Sequence, residues 1–199
     1  MTDYVLQGMW RPVTVTLTDR YSGSKRDLSV VEPKSIPDGW YWWGQRAADS
    51  HLAAGDERYL VIRPHPDYDG EPLAQPLDFK RVWGMSSHGL NQAATFGLWS
   101  AAPPNGYEVL SDIFNHNSKP RSGRYVCVSR AALVTTSFDH RSMWDDKGSA
   151  ANDDGSVWEV RPPRGAQRTR FNPFRANNRY LPPGAIPWVL NPAVIEMVG

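Results

Sequence analysis

Four aspartates flank one polar loop in the last third of the sequence and could together bind a metal ion. Asp145 and Asp146 precede the loop, while Asp153 and Asp154 follow Asn152. A hard cation such as calcium takes roughly six to eight oxygen ligands, which four carboxylates and the loop carbonyls could supply. The spacing is not that of an EF-hand loop, and aspartate is common in turns because its carboxylate accepts hydrogen bonds from nearby backbone amides. We predict a turn without a cofactor and keep a single Ca²⁺ site on the four aspartates as the alternative.

A dense aromatic run consists of Trp40, Tyr41, Trp42 and Trp43. On a strand, alternate side chains point to opposite faces, so Trp40 and Trp42 would share one face and Tyr41 and Trp43 the other. One pair is expected in the core. The other pair could stack on a sugar ring, lie at the level of lipid headgroups or cover a protein partner, which makes Trp40, Trp42 and Trp43 candidate ligand-binding residues. The alternative is that the whole run is core packing.

A basic segment near the C-terminal end interleaves arginines with aromatic residues. Its arginines are Arg161, Arg164, Arg168, Arg170, Arg175 and Arg179, and its aromatic residues are Phe171, Phe174 and Tyr180. Because a guanidinium group matches phosphate in a bidentate way, the segment could bind phosphoinositides or RNA, with the first four arginines as candidate ligand residues. The alternative is a solvated face that the upstream aspartates balance.

The sequence predicts no catalytic centre. Five histidines lie in unrelated loops or strands, and neither an H-E-x-x-H nor a G-x-S-x-G motif is present. Ser87 and His88 are neighbours, which predicts a turn more than a nucleophile and its base. Lone Cys127 lies in the apolar run Y-V-C-V and is expected to be a buried small hydrophobic residue. We therefore predict a protein that is not an enzyme, and keep a hydrolase using loop histidines and aspartates as an alternative.

Composition narrows the partners. The 22 basic residues offset 21 acidic ones, for a net charge of +1, so no global field favours nucleic acid and such binding is unlikely on this ground. The first ten residues lack a basic region followed by an apolar stretch, and no window is long and apolar enough for a membrane span. The expectation is a soluble protein with no cleaved signal peptide and no transmembrane segment, either cytoplasmic or exported by a non-classical route.

Short strands must position these residues, since no helical periodicity is found. Residues 13–19, V-T-V-T-L-T-D, alternate apolar and polar positions and give the clearest strand. Further strands are predicted at 27–32, 40–44, 58–63, 79–83, 96–100, 107–112, 124–130, 138–144, 156–160, 166–171 and 185–190. Proline-rich residues 65–76 read as a connection.

The strands fall into three copies of one pattern. Residues 144–165 run from a strand with aromatic and acidic residues through a Gly-Ser turn and a polar loop to a short apolar strand and Pro-Pro-x-Gly, and residues 82–106 and 17–39 are weaker copies. This predicts one domain over residues 1–199 with internal repeats at about 13–64, 77–134 and 136–191. Three small antiparallel sheets around a common axis make an all-β β-prism, with a β-trefoil as the alternative.

The best copy carries a family resemblance. Residues 145–165, D-D-K-G-S-A-A-N-D-D-G-S-V-W-E-V-R-P-P-R-G, resemble the signature of the vacuolar protein sorting-associated protein 62 family, in which W-x-D precedes D-x-G-S-G-A, a short S-V-W strand and P-P-x-G-Y. The second copy adds P-P-N-G-Y and the segment Y-V-C-V-S-R-A-A-L-V. The sequence departs from the pattern at S-S-H-G in copy two, at Ala166 after the closing glycine, and at Val31 in place of the strand tryptophan.

The resemblance implies a function in recognition. This family is similar to the multivesicular-body-associated β-prism domain, which elsewhere contacts acidic membranes or serves as the targeting domain of pore-forming proteins. The resemblance brings no catalytic residues to this sequence. We expect a non-enzymatic module that binds a membrane surface, an anionic headgroup or a receptor, in trafficking or in a toxin-like role. A lectin that binds a glycan is the alternative, and fold kinship alone does not decide between them.

Overall fold

Short strands make up the part of the chain that the computed structural model describes, which is residues 4–19, 22, 24–50, 57–84, 96–116, 118–149, 151, 153–162 and 173–199. In chain order the strands are β1 (Leu6–Thr18), β2 (Ser29–Pro33), β3 (Arg46–Ala48), β4 (Arg58–Pro64), β5 (Leu73–Ala74), β6 (Asp78–Gly84), β7 (Gly97–Ala102), β8 (Tyr107–Glu108), β9 (Ile113–Asn115), β10 (Cys127–Ser129), β11 (Leu133–Thr135), β12 (Trp144–Asp145), β13 (Ser156–Glu159), β14 (Phe174–Asn177), β15 (Trp188–Leu190) and β16 (Ile195–Met197). Two 3-10 turns, Arg130–Ala132 and Pro192–Val194, are the helical elements within these ranges. The all-β prediction is confirmed.

Three antiparallel sheets of three strands each form one part of the molecule. The second half of β1 pairs with β2, and β2 pairs with β3. In the same order, β6 pairs with β7 and β7 with β9, while β12 pairs with β13 and β13 with β14. Each sheet comes from one of the three predicted repeats, which confirms the β-prism and sets the trefoil aside. The repeat boundaries and the single domain stay predictions.

The three sheets turn their apolar faces towards one shared core. Because alternate residues of a strand point to the same face, each strand supplies one or two side chains to it. The central members are Leu17, Val30, Ala47, Trp83, Leu98, Phe114, Trp144, Val157 and Phe174, three from each sheet. The Trp144 ring lies at the middle, with its centroid 5.5 Å from that of Trp83 and 6.2 Å from that of Phe114.

A second group of strands joins the three sheets. The first half of β1 pairs antiparallel with β4 and parallel with β16, β10 lies between β5 and β8, and β11 pairs with β15. The apolar run of β4 has Tyr59, Leu60, Val61 and Ile62 fully buried, as expected for a strand covered on both faces. These linking strands hold the second core, to which Leu6, Val128 and Leu190 also belong.

Several elements differ from the prediction. The aromatic run at 40–44 makes only isolated bridges at Tyr41 and Trp42, because the chain turns at Gly44, whose φ of +119° suits glycine and where a side chain would collide with the Ser111 carbonyl. β3 lies where a loop was expected, and β5 lies in the expected connection. The third strand of the last sheet is β14, whereas the strand predicted at 166–171 lies outside the described residues.

Candidate functional site

The aromatic run is mostly core. Trp40 and Trp43 have only 4% and 1% of their surface exposed, while Tyr41 and Trp42 are half-buried. The buried pair is thus the first and fourth residue, and the predicted alternation of faces is wrong because the run is not a continuous strand: only Tyr41 and Trp42 form β-bridges, and both bridges are isolated. The indole N–H of Trp43 donates to the Leu60 carbonyl at 2.8 Å. Of the three candidate tryptophans, Trp42 keeps a partly exposed ring.

The four aspartates divide into a buried pair and an exposed pair. Asp145 and Asp146 are buried, and Asp153 and Asp154 are exposed. One carboxylate oxygen of Asp146 accepts from the Gly155 amide at 3.1 Å and from the Tyr180 hydroxyl at 2.8 Å. Among the described residues, no group of three or more His, Cys, Asp or Glu side chains is placed to hold a metal ion. The geometry is that of a turn, and the calcium alternative stays a prediction.

Burial sets the electrostatics of this turn. Desolvation raises the pKa of the Asp146 carboxyl above its ordinary value, although the Tyr180 hydroxyl and the Gly155 amide pull it down. Burial and the nearby Asp146 carboxylate in turn raise the pKa of the Tyr180 phenol. Asp146 is therefore a hairpin-closing acceptor inside the fold.

The arginine segment is divided among different roles. Arg161 lies 3.2 Å from the Asp139 carboxylate, at the start of the segment. Arg164, Arg168 and Arg170, together with Phe171, lie outside the described residues. Whether the four candidate arginines share a surface stays a prediction.

The later arginines of this segment separate. Arg175 braces two sheets, because its guanidinium donates to the Val109 carbonyl at 3.0 Å and to the Ser100 hydroxyl at 3.2 Å and lies 3.2 Å from Asp112. Arg179, by contrast, is exposed. Only the second of these two has a guanidinium on the surface for a ligand.

A cleft of about 690 Å³ opens between the first and third sheets. Val31, Arg46 and Ala47, all buried, lie at its floor beside the partly buried Met143. Exposed charged residues form its rim, namely Lys25, Asp27, Asp49, His140 and Arg141. No sequence motif predicted this cleft, although the basic pairs at 25–26 and 140–141 are visible in the sequence.

The cleft brings together two basic segments that are far apart in sequence. The Arg26 guanidinium donates to the carbonyl of Ser142 and to its hydroxyl at 3.1 Å, beside Arg141. The backbone amide of Lys25 donates to the Lys147 carbonyl at 3.2 Å. Docking of the β1–β2 hairpin onto the segment before β12 therefore gathers Lys25, Arg26 and Arg141 at one rim.

Carboxylates balance the cations elsewhere in the cleft. Burial lowers the pKa of the Arg46 guanidinium, while the charges of Glu57 and Glu159 raise it. At the rim, Asp139 lies 2.5 Å from the His140 ring nitrogen Nδ1. Partial burial would raise the pKa of Asp139, but hydrogen bonds from the His140 backbone amide, Arg161 and the His140 ring hold it below its ordinary value. The cleft is therefore polar, with charges of both signs.

Three described residues bear on the hydrolase alternative, namely His65, Cys127 and His140. Within the described part of the chain, His140 hydrogen-bonds to Asp139 and to no serine or threonine hydroxyl. His65 is buried with Nε2 3.3 Å from the Glu196 carboxylate, whereas Ser87 and His88 lie outside the described residues. Cys127 is fully buried, and burial raises the pKa of its thiol to about 12, so the prediction of a buried small residue is confirmed.

An exposed apolar loop, residues 178–187, connects β14 to β15. Leu181 and Ile186 are 62% and 68% exposed. The loop is braced at its base, because the Asn177 amide group donates to the Leu181 carbonyl at 2.8 Å and Tyr180 donates to Asp146. We call residues 178–187 the apolar loop.

Lys147 joins the apolar loop to the cleft. Its ammonium lies 4.4 Å from the centroid of the Tyr180 ring, and its carbonyl accepts from Lys25 at the cleft rim. Arg179 and Lys147 are both exposed. The loop thus carries two exposed apolar side chains, with Arg179 within the loop and Lys147 against its Tyr180 ring.

Comparison with known proteins identifies the chain. A family model described as vacuolar protein sorting-associated protein 62 matches residues 10–172. The chain belongs to this Vps62 family. No curated protein matches the chain. The crystal structure of GNIP1Aa from Chromobacterium piscinae is similar, with a TM-score of 0.80 and 25% sequence identity over 98% of this chain and 39% of that one. The chain thus spans about two fifths of that structure's chain.

Family membership confirms the resemblance carried by residues 145–165 and gives that motif a structural meaning. In this Vps62-family chain, Trp144 and Gly155 lie in the shared core and Asp146 closes the hairpin between them. The apolar loop lies beyond the matched residues 10–172. Across the described ranges, the structure holds no helix with the length and apolar character needed to cross a bilayer.

Proposed function

We propose that this Vps62-family chain is a non-enzymatic recognition module that docks on an anionic membrane surface through the apolar loop. The observation that supports this proposal is the exposure of Leu181 and Ile186 on a braced loop, with Arg179 and Lys147 at its side. A role in trafficking is compatible with the family description.

The chemistry of the loop matches that of the membrane interface. Large apolar side chains enter the boundary between headgroups and acyl chains, where they leave water. Cations beside them pair with lipid phosphates, at about 1 kcal/mol for each Lys or Arg near an anionic surface. Because Asn177 and Asp146 already hold the loop, little additional ordering is needed on binding.

The other recognition hypotheses have less support. Among the described residues, no tryptophan, tyrosine or phenylalanine lines the cleft, so it does not offer the stacking that the lectin hypothesis invoked. A protein receptor, including one for a toxin-like protein, could use the same loop, and it would differ in requiring no lipid. Membrane docking is proposed because the exposed residues combine apolar tips with cations.

The test is flotation with lipid vesicles. We expect the protein to float with vesicles of phosphatidylcholine and phosphatidylserine, to stay down with pure phosphatidylcholine, and to lose binding at high salt. The double variant Leu181→Ser/Ile186→Ser should lose most of the binding. Leu77→Ser is the matched control, since Leu77 is 74% exposed but precedes β6 on another sheet.

Two outcomes contradict the proposal. The first is equal flotation of the double variant and the wild-type protein, which would remove the loop from the binding surface. The second is no flotation with any anionic vesicle at low salt. Capture by a protein receptor that needs no lipid and is lost in the double variant would assign the same loop to a receptor instead.

A further inference from the structure

We propose that the cleft between the first and third sheets binds a small anionic polyol, that is, a hydroxylated ring that carries phosphate, sulfate or carboxylate groups. The proposal goes beyond membrane docking, because it concerns the cleft and not the apolar loop. Such a group could be free in solution or be the headgroup of a lipid, and the shared chemistry is the same.

The basic rim supplies the anion site. Lys25, Arg26 and Arg141 lie along it, brought together by the contact of Arg26 with Ser142. Within the described residues, no hydrogen bond or ion pair engages the side chains of Lys25 and Arg141. A guanidinium offers a planar pair of donors and an ammonium offers a point charge, a combination that suits tetrahedral or carboxylate oxygens.

Carboxylates that also line the cleft supply acceptors for hydroxyl groups. Asp49 and Glu57 follow β3 and precede β4, and both line the cleft. Ionised carboxylates only accept hydrogen bonds, so they favour a ligand with O–H donors over a second anionic group. A lining that mixes exposed cations with carboxylates therefore favours a ligand that carries both anionic groups and hydroxyl groups on one ring.

The floor and the size of the cleft limit the ligand further. Val31, Ala47 and Met143 give the C–H face of a ring an apolar surface without an aromatic stack. A nucleotide base would gain little here, because no tryptophan, tyrosine or phenylalanine among the described residues lines the cleft. The volume of about 690 Å³ lies within the range of small-molecule sites and holds a substituted ring with water.

The experiment is calorimetric titration at low salt with inositol trisphosphate, myo-inositol and inorganic phosphate. We expect the trisphosphate to bind at least about tenfold more tightly than either of the other two, since only it carries several anionic groups together with ring hydroxyl groups. The variant Lys25→Ala/Arg141→Ala should bind the trisphosphate at least about tenfold more weakly. Lys34→Ala/Arg121→Ala removes two exposed cations outside the cleft and should bind like the wild-type protein.

A further variant tests the carboxylates that line the cleft. Asp49→Asn/Glu57→Gln should weaken trisphosphate binding while leaving the weak binding of inorganic phosphate unchanged or stronger. Thermal unfolding of each variant checks that the fold is kept.

The source of the ligand is distinguished by adding vesicles that contain phosphatidylinositol bisphosphate. If free trisphosphate competes for the cleft and releases the protein from the vesicles, the natural ligand is the lipid headgroup. If free trisphosphate binds without affecting flotation, the natural ligand is a soluble molecule.

The variant Leu181→Ser/Ile186→Ser should keep trisphosphate binding in either case, so failure of membrane docking and failure of the cleft proposal are distinct. Equal binding of phosphate and trisphosphate, unchanged affinity in Lys25→Ala/Arg141→Ala, or no binding at low salt would overturn the proposal.

Discussion

The indole N–H of Trp144 donates to a carboxylate oxygen of Asp19 at 2.8 Å, across 125 positions of the chain. This bond crosses from the third sheet to the end of β1 in the first. The other carboxylate oxygen of Asp19 accepts from the Leu28 amide at 2.7 Å. A single buried carboxylate therefore closes one hairpin and fixes the central ring of the core.

The third sheet repeats half of this arrangement. Asp146 accepts from the Gly155 amide, nine positions later, as Asp19 does from Leu28, also nine positions later. In both hairpins the aspartate amide donates to the carbonyl of that same residue at 3.1 Å. Asp146 and Asp19 are thus equivalent structural acceptors, each closing its own hairpin.

The first prediction concerns the bond between Trp144 and Asp19. Trp144→Phe keeps an aromatic ring but removes the donor, and we expect it to lower the free energy of unfolding by about 1–3 kcal/mol because Asp19 loses a buried partner. Trp144→Ala should cost roughly 3–5 kcal/mol through the cavity it leaves. Urea unfolding measures both. If the indole bond matters, Trp144→Phe and Asp19→Asn will be non-additive in a double-mutant cycle, whereas additive effects would show that the two residues are uncoupled.

The second prediction concerns pH and Asp146. Because the folded-state pKa lies above the ordinary value of 3.8, the folded protein binds this proton more tightly than the unfolded chain does. This residue therefore favours folding most below the ordinary pKa, and that contribution is lost as the pH rises through the folded pKa. Asp146→Asn, which never ionises, should gain stability relative to the wild-type protein near neutral pH, and the gain should shrink towards pH ~4.

The measurement is urea unfolding of both proteins across this pH range. Asp69→Asn is the control, since Asp69 is exposed in the connection before β5, and its difference from the wild-type protein should stay small. A gain for Asp146→Asn that grows on acidification would contradict the sign of the pKa shift.

The third prediction concerns Gly155, which directly precedes β13. A Cβ atom on Gly155 would lie 2.7 Å from three atoms of the Trp83 ring, so Gly155→Ala should lower the free energy of unfolding by about 1–3 kcal/mol through overpacking. Gly184→Ala is the matched control, because nothing lies within 4 Å of its added methyl group, and it should be neutral or slightly stabilising. Equal effects of the two changes would show that the Trp83 contact is not limiting.

The sequence by itself determined the class of the fold. The alternation in V-T-V-T-L-T and the threefold motif predicted three antiparallel sheets. Both patterns are local, because the face of the sheet to which a side chain points depends only on the position of the residue along its own strand. The turn at the acidic motif was predicted for the same reason, since Asp146 bonds a residue in its own hairpin. Long-range pairing left no such signal, so the short strands β3, β5, β9, β11, β14 and β16 were missed.

Only the tertiary structure decided which surfaces are open. Trp40 and Trp43 are buried because they pack in the second core, and Arg175 is a brace because its guanidinium meets Asp112, which precedes β9 of another sheet. The rim of the cleft joins residues 25–26 with residues 140–141, which meet only when two hairpins dock. Docking depends on contacts between distant segments, and no local pattern of residue types encodes which of them will meet.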